Sequence, residues 1–416
     1  MRVLVVGKGG REHALLRALK ESPSAPQLFC HPGSDALATL ATPVAAQDVQ
    51  QLVEWMQHNA IDLCIAGEES YLVQGEGLAN ACERVGIPCW GPHKQAAQLE
   101  ASKEFAKDFL QRHGIPTARA VVVDDCEQAR AAIAGRYPTV LKFDGLAAGK
   151  GVAVCPDEAS AEAFLQEVLV ERRFGEGRLL VEDCLTGAEV SIFAAVVDDQ
   201  YSIFTPARDY KRALDNDAGP NTGGMGAVAG RGLIDADLLE HIEAVIIRPT
   251  VRGLLADQLP YRGFLYFGLM LTASGPQVIE YNCRFGDPEC QAVMPLMTGD
   301  FAQFCLDGAK GLHRPRHLNF SDDWSVCVIL ASAGYPATSR SGDVISGFEQ
   351  VNRARVYHAG TRQNAEGQWE TNGGRVLAVV ATAAKRVDAA ALAHAQAALI
   401  DFPGAQRRSD IGYLNF

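Results

Sequence analysis

Short apolar runs separated by longer amphipathic stretches open the chain. Residues 3–6, 28–30, 62–66 and 88–90 are four such runs, and their alternation with helical patterns predicts a parallel α/β layer over the first hundred residues. Near Glu100 the pattern changes. Residues 102–111 predict a helix with Lys103 and Lys107 on one face. Strands at 120–123, 139–143, 152–154 and 179–182 then bracket helices near 127–133 and 160–170, which predicts a small sheet-and-helix lobe. A third α/β block runs from about Ser321, with strands near 326–331, 356–359 and 376–381.

In parallel sheets ligands sit beyond the carboxyl ends of the strands. Gly7-Lys8-Gly9-Gly10-Arg11-Glu12-His13 and Gly67-Glu68-Glu69-Ser70 fall there. The glycines allow a tight turn with N–H groups exposed at a helix start, a seat for phosphate to which Arg11 adds charge. A helix-capping turn without a ligand is the structural alternative. A dinucleotide fingerprint would need Gly where Glu12 stands and an acidic residue ending the second strand, so both arguments oppose a nicotinamide or flavin site.

Inside the small lobe lies Lys142-Phe143-Asp144-Gly145-Leu146-Ala147-Ala148-Gly149-Lys150-Gly151-Val152. It lacks the glycine spacing and the Ser or Thr of a Walker A loop. A hairpin with small residues at its tip and a lysine at each end suits a lid over a triphosphate; a surface hairpin with incidental lysines is the alternative. Asp209-Tyr210-Lys211-Arg212 and Gly219-Pro220-Asn221-Thr222-Gly223-Gly224-Met225-Gly226 form a long polar passage of the kind that usually serves function.

The densest chemistry is in Ile279-Glu280-Tyr281-Asn282-Cys283-Arg284-Phe285-Gly286-Asp287-Pro288-Glu289. Side chains alternate across a strand, so Glu280 and Asn282 face one way and can grip one Mg²⁺, which prefers oxygen ligands. Arg284 follows on that side, suited to charge developing on a phosphoryl or acyl phosphate group. Each residue alone reads equally as a solvated carboxylate with its ion-pair partner, but the run has no structural need for so many charges. Cys283 is expected to point away from the ligands rather than act as a nucleophile.

Bulk properties narrow the class. With 416 residues the chain exceeds one ordinary core, and two to four domains are expected. A net charge of -12 opposes broad nucleic-acid binding, so basic clusters serve small anions. No apolar stretch reaches the roughly 20 residues of a membrane span, and no signal-peptide pattern precedes the first strand. The 11 cysteines show no CxxC pair or Cys/His ligand spacing and read as buried thiols in a reducing compartment. The expected location is the cytoplasm.

Taken in order, GGREHAL at 9–15, DGLAAGKGV at 144–152, GPNTGGMGA at 219–227, GFLYFGLM at 263–270, the NCRFGDPE run, HAGT at 358–361 and TNGGRVL at 371–377 resemble the glycinamide ribonucleotide synthetases (phosphoribosylamine–glycine ligases), of the ATP-grasp superfamily. The resemblance runs nearly end to end. It implies a multi-domain α/β and α+β fold: an N-terminal substrate-binding α/β domain at 1–101, an ATP-grasp domain at 102–318 with a mobile lid lobe at about 119–190, and a small C-terminal α/β domain at 319–416. It implies that Lys103 and Lys142 contact the phosphates of ATP, that the hairpin with Gly145, Gly149, Lys150 and Gly151 closes over them, and that Glu182 and Glu189 orient the nucleoside. Glu280 and Asn282 match the family's ligands for Mg²⁺ or Mn²⁺. Asp209 and Arg284 are implied to hold glycine, and Gly9, Gly10, Arg11, Glu12, Pro32, Gly33 and Glu69 to surround phosphoribosylamine. Arg284, Lys142 and Asp209 are the implied catalytic residues of a monomer that binds neither nucleic acid nor membrane.

The chain departs from the family pattern mainly in the first domain. Lys8 stands where Asn or Ser is usual, Ser34-Asp35 replaces Asn-Ala, and Gly67-Glu68-Glu69-Ser70-Tyr71-Leu72 replaces Gly-Pro-Glu-Ala-Pro-Leu. Phe143 replaces Ala, and Arg208-Asp209-Tyr210 replaces Gln-Asp-His. Drift within the family's own reaction is the expected explanation, with Lys8 a possible extra phosphate contact. The alternatives are a paralogue joining a different amine or amino acid, and a non-catalytic ATP-grasp binding module. A biotin-dependent carboxylase is disfavoured by the lack of a biotin-attachment segment.

Overall fold

A computed structural model describes residues 1–145, 147 and 151–414. The opening alternation folds into a parallel sheet in the order Thr42–Pro43, Gln27–Pro32, Arg2–Gly7, Leu63–Ala66, Cys89–Trp90. Residues 3–6 of its central strand are all apolar because helices cover both faces. Leu4 and Val6 pack with Leu52, Val53 and Met56 of helix Val49–His58. Val3 and Val5 pack with Leu15, Leu16 and Leu19 of helix Gly10–Lys20.

The small lobe is an antiparallel sheet in the order Ala120–Val123, Leu179–Asp183, Thr139–Phe143, Val152–Cys155. Helices Cys126–Ile133 and Glu158–Leu165 bury Ala129, Ile133, Phe164 and Leu165 against Leu141 and Val181. Asp125 and Asp157 begin those helices, accepting the N–H of Gln128 and of Ser160. The helix expected over 160–170 ends in a wider π turn at Gln166–Val170. Phe143 is buried in this lobe beside Phe174, ring centroids 5.5 Å apart.

The largest sheet runs Gly275–Asn282, Arg262–Thr272, Ala188–Val197, Ala207–Asp209, Gly226–Ala229, Trp324–Ala331, Arg375–Ala383, Arg355–His358. The C-terminal strands therefore extend the sheet of the middle segment: Ala229 is in register with Ser325, and Gly226 with Val328. Helix Arg386–Ala397 covers this extension, with Ala389, Ala390 and Ala393 against Val326 and Val379. The polar passage after Asp209 holds two short strands, Arg212–Leu214 and Ala218–Asn221, paired as an irregular hairpin.

Trp90 joins the first sheet to the largest one. It is 1% exposed, and its ring meets Phe264 and Phe304 edge-on at 5.3 and 5.9 Å between centroids. Gly308 lies beneath it, where a Cβ would fall 2.3 Å from the indole. Trp90→Ala empties this junction. Its expected cost is about 3–5 kcal/mol of unfolding free energy, measurable as a fall in urea midpoint; a cost below about 1 kcal/mol would show that the junction does not depend on the indole.

Candidate active site

The strand Gly275–Asn282 carries one irregularity. Gly268 opposes Glu280 while Leu269 opposes Val278, so Ile279 is an extra residue. Such a bulge leaves its residue outside the ladder, and the Ile279 carbonyl accepts from Lys142 Nζ at 3.0 Å. Beyond it strict alternation resumes. Tyr281 goes to the core at 2% exposure, while Glu280 and Asn282 line a cavity of about 680 Å³. Cys283 is buried with its Sγ toward Ala96 O, away from that cavity, as expected.

One wall of the cavity is cationic. Lys142 sits 2.9 Å from Glu182 Oε2 and Lys107 3.3 Å from Oε1, all three side chains under a tenth exposed. Lys103 Nζ donates to Gly145 O at 2.9 Å. Asp144, at the root of the hairpin, accepts the N–H groups of Lys103 at 2.6 Å and Glu104 at 3.2 Å, so the hairpin is tied to the start of helix Lys103–Arg112. Burial lowers the Lys103 ammonium despite Glu280 nearby. Burial also lowers Lys107 to about 8, partly offset by Glu182.

A second group of lining residues alternates in charge. Arg11 reaches Glu69 at 3.5 Å, Glu69 reaches Arg284 at 3.1 Å, and Arg284 reaches Glu100 at 2.5 Å. Glu100 also accepts the Cys283 N–H at 2.6 Å. Burial would raise Glu69, but Arg284 and Arg11 outweigh it and hold the carboxyl at about 2. At Glu100 burial wins over Arg284, and the carboxyl is pushed up to about 7.

Asp209 lies among Lys211, Glu289, Glu189 and Glu280. Burial, with the three glutamates, raises Asp209 to about 7 against the pull of Lys211. Lys211 stays charged: burial opposes this, but Asp209 and Glu189 hold its ammonium well above the ordinary value. It pairs with Glu189 at 2.6 Å. Arg375, from the C-terminal strands, donates to Gly223 O and Asp287 O at 2.6 Å each.

Asn282, with its amide turned to satisfy its neighbours, donates to Glu100 Oε1 at 3.0 Å and Tyr281 O at 3.3 Å, which leaves its oxygen as the ligating atom. Among the described residues the Glu280 carboxylate takes no hydrogen bond or ion pair. Two oxygens on one face of a strand, beside buried lysines, fit a hard divalent cation shared with phosphate.

The family models of phosphoribosylglycinamide synthetase match residues 1–100 (N domain), 101–290 (ATP-grasp domain) and 325–414 (C domain). The chain belongs to the phosphoribosylglycinamide synthetase family. It is 40% identical over 416 residues to the phosphoribosylamine–glycine ligase of Caldanaerobacter subterraneus, covering 99% of each chain. It is 42% identical over 431 residues to the trifunctional purine biosynthetic protein adenosine-3 of Drosophila melanogaster, 100% of this chain but 32% of that one. The crystal structure of phosphoribosylamine–glycine ligase from Thermotoga maritima superposes with a TM-score of 0.86 at 32% identity, over 99% of this chain and 100% of that one. The biotin carboxylase domain of Hydrogenobacter thermophilus 2-oxoglutarate carboxylase, determined with MgADP, shares the fold alone, with a TM-score of 0.74 at 18% identity over 98% and 91% of the two chains.

Of the family residues expected from sequence, the cavity gathers Lys103, Lys142, Gly145 and Gly151 with Glu182 and Glu189, and Asp209, Glu280, Asn282 and Arg284 with Arg11 and Glu69. Gly149 and Lys150 lie outside the described residues. Gly9, Gly10, Glu12, Pro32 and Gly33 are not in its lining. Glu12 is spent internally: it accepts the Gly9 N–H at 2.7 Å, capping its own helix, and Arg11 Nε at 2.7 Å. It also explains Gly67, where a Cβ would lie 2.7 Å from both Glu12 and Val6 O. Glu182 and Glu189 line the cavity but are already paired to lysines.

Sequence reasoning missed Glu100, Lys107, Lys211, Asp287, Glu289 and Arg375 as site residues. Lys211, Asp287, Glu289 and Arg375 stand inside the quoted motifs, and Lys107 shares a helix face with Lys103. Glu100 carried no signal.

A carboxyl raised in the fold binds a proton that the unfolded chain has released, so between about pH 4 and pH 7 Asp209 makes stability fall as pH rises. Asp209→Asn removes that dependence. The variant's urea midpoint relative to the parent should therefore improve from about pH 5 to about pH 8; a constant offset would refute the raised Asp209.

Proposed function

We propose that the protein ligates glycine to 5-phosphoribosylamine at the expense of ATP, giving glycinamide ribonucleotide, ADP and phosphate in purine biosynthesis. The observation that carries the reading is one cavity with a lysine wall, an oxygen pair at Glu280 and Asn282, and the Arg11–Glu69–Arg284 wall, in a chain whose residues 1–290 and 325–414 its family's models match.

Lys103 and Lys142 hold the phosphates of ATP, and the hairpin from Gly145 through Gly149 and Lys150 to Gly151 closes over them. Glu182 and Glu189 orient the nucleoside, which requires their lysines to turn toward phosphate. Arg284 holds the glycine carboxylate, and Asp209 in its ionised form holds the ammonium. The carboxylate attacks the γ-phosphorus to give glycyl phosphate; the amine of phosphoribosylamine then displaces phosphate and forms the amide. Positioning and electrostatics do most of this work. Glu280 and Asn282 would hold Mg²⁺ or Mn²⁺, which supplies charge neutralisation at the transferring phosphoryl group. Closure also shields the acyl phosphate from water.

Phosphoribosylamine is met by Arg11 and Glu69, with Gly9, Gly10, Glu12, Pro32 and Gly33 behind them. The first-domain departures from the family pattern favour drift, whereas Arg208 is a departure that lines the cavity. Lys8 is exposed; Ser34 begins a helix by accepting the Leu37 N–H; Asp35 accepts the Gln363 N–H at 2.7 Å; Glu68 accepts from Ser70 at 2.9 Å; and Tyr71 packs edge-on against His31. None of the five lines the cavity. All 11 cysteines are free, which supports a reducing, cytoplasmic setting. Among the described residues no helix is long and apolar enough to cross a membrane. A monomer using soluble small molecules goes with this reading.

The test is ADP release with Mg²⁺, glycine and freshly generated phosphoribosylamine, each omitted in turn, with mass detection of product. Dependence on both substrates and formation of glycinamide ribonucleotide are expected; turnover with another amino acid or amine instead would favour a paralogue of changed specificity. Glu280→Ala should lower turnover at least about 100-fold with the fold kept, and retained activity would remove Glu280 from the metal site. Lys8→Asn should leave the apparent KM for the amine within about twofold; a larger rise would restore a phosphate contact for Lys8.

A further inference from the structure

Three thiols far apart in sequence meet inside the first domain. Cys64 lies on strand Leu63–Ala66, Cys89 on strand Cys89–Trp90 and Cys82 on helix Leu78–Arg84. Cys64 and Cys89 are register partners on adjacent parallel strands, so their side chains leave the same face of the sheet. Helix Leu78–Arg84 packs on that face and brings Cys82 down onto them. The three Sγ atoms lie within 4.8 Å of one another, all are free thiols, and none lines the ligase cavity.

We propose that Cys64, Cys82 and Cys89 form a three-thiol site for a trivalent thiophilic ion of the arsenic(III) and antimony(III) class. Geometry comes first. A small ion bound to all three sulfurs would draw them somewhat closer than the 4.8 Å within which they already lie, a change that rotamer adjustments at three cysteines can supply. The ligand set is all sulfur, which selects soft ions over hard ones. Among the described residues the group has three members, whereas a structural zinc site takes four.

Charge then separates the soft ions. Cys64 and Cys82 are 0% exposed, in the apolar core that includes Leu72, Leu78 and Ala81. Hydrogen bonds from the Cys64 and Cys89 thiols lower Cys82 to about 5, while burial and the one charged group acting on it, the Glu76 carboxylate, oppose its ionisation. Three thiolates around a monovalent ion leave two negative charges in this core, and around a divalent ion one, each costly to bury. Around a trivalent ion the adduct is neutral. In forming it from the trihydroxide, three As–O bonds break, three thiols give up their protons, three As–S bonds form and three waters leave, with no change of oxidation state.

The test uses the whole chain, held reduced with a monothiol and exposed to arsenite. Native mass spectrometry should show one arsenic bound with loss of three protons, and alkylation mapping should show Cys64, Cys82 and Cys89 protected together. This map needs no variant. Cys64→Ser, Cys82→Ser or Cys89→Ser should each weaken retention against a dithiol competitor at least about 10-fold, while Cys305→Ala, at a buried thiol outside the group, should not. Absence of the adduct, protection of other cysteines, unchanged retention in Cys89→Ser, or tighter retention of zinc(II) or copper(I) would overturn the proposal.

Discussion

A buried charge must find a partner, and the arrangement of this site follows from that demand at Arg284. Its guanidinium is 15% exposed and lies between Glu69 and Glu100, with Arg11 beyond Glu69. Removing one acid would leave the cation with the other as its single partner, and removing both would leave a desolvated cation, a cost of about 3–5 kcal/mol. The pairs bring together a turn after the fourth strand of the first sheet, a segment near residue 100 and the end of strand Gly275–Asn282. The first domain is thus held against the largest sheet by charges as well as by Trp90, and the charges occupy the side where substrate chemistry is proposed.

The lysine wall follows the same rule with a different balance. Three ammonium groups, Lys103, Lys107 and Lys142, share chiefly Glu182 and carbonyl oxygens. Burial lowers Lys103 and Lys107 because their compensation is incomplete. A polyanion entering this wall would supply the missing charge, so its binding is favoured by the deficit already built into the fold. The root of the hairpin is fixed by Asp144 at the start of helix Lys103–Arg112, so its base stays in place over that wall.

The fold was legible where apolar periodicity is strong. Residues 3–6, 28–30 and 62–66 predicted the parallel strands because burial on both faces leaves continuous apolar runs. What the pattern could not tell was that Trp324–Ala331 pairs with Gly226–Ala229, since strand pairing between segments a hundred residues apart leaves no local trace. Likewise Glu280 and Asn282 were readable from alternation, whereas the bulge at Ile279 that frees a carbonyl for Lys142 was not. Glu100 was invisible because a lone acid at a helix end usually meets water, and its role arises only from the arrival of Arg284 and the Cys283 N–H. The thiols of Cys64, Cys82 and Cys89 escaped for the same reason: spacing rules look along the chain, and these meet across two strands and a helix.

The continuity of the largest sheet has a consequence for how the cavity is closed. Arg375 begins strand Arg375–Ala383, which pairs with Trp324–Ala331, which pairs in turn with Gly226–Ala229. Its guanidinium then bridges Gly223 O and Asp287 O and pairs with Asp287 at 3.0 Å. The Gly-rich passage and the turn after Asn282 are therefore fixed relative to each other through a hydrogen-bonded ladder as well as through side-chain packing between separate units. A displacement of the C-terminal strands would have to break that ladder before it moved Arg375. This side of the cavity is accordingly tied into one ladder, whereas the small lobe has a sheet of its own, carries Lys142 and Glu182 to the lysine wall, and is joined to helix Lys103–Arg112 through Asp144.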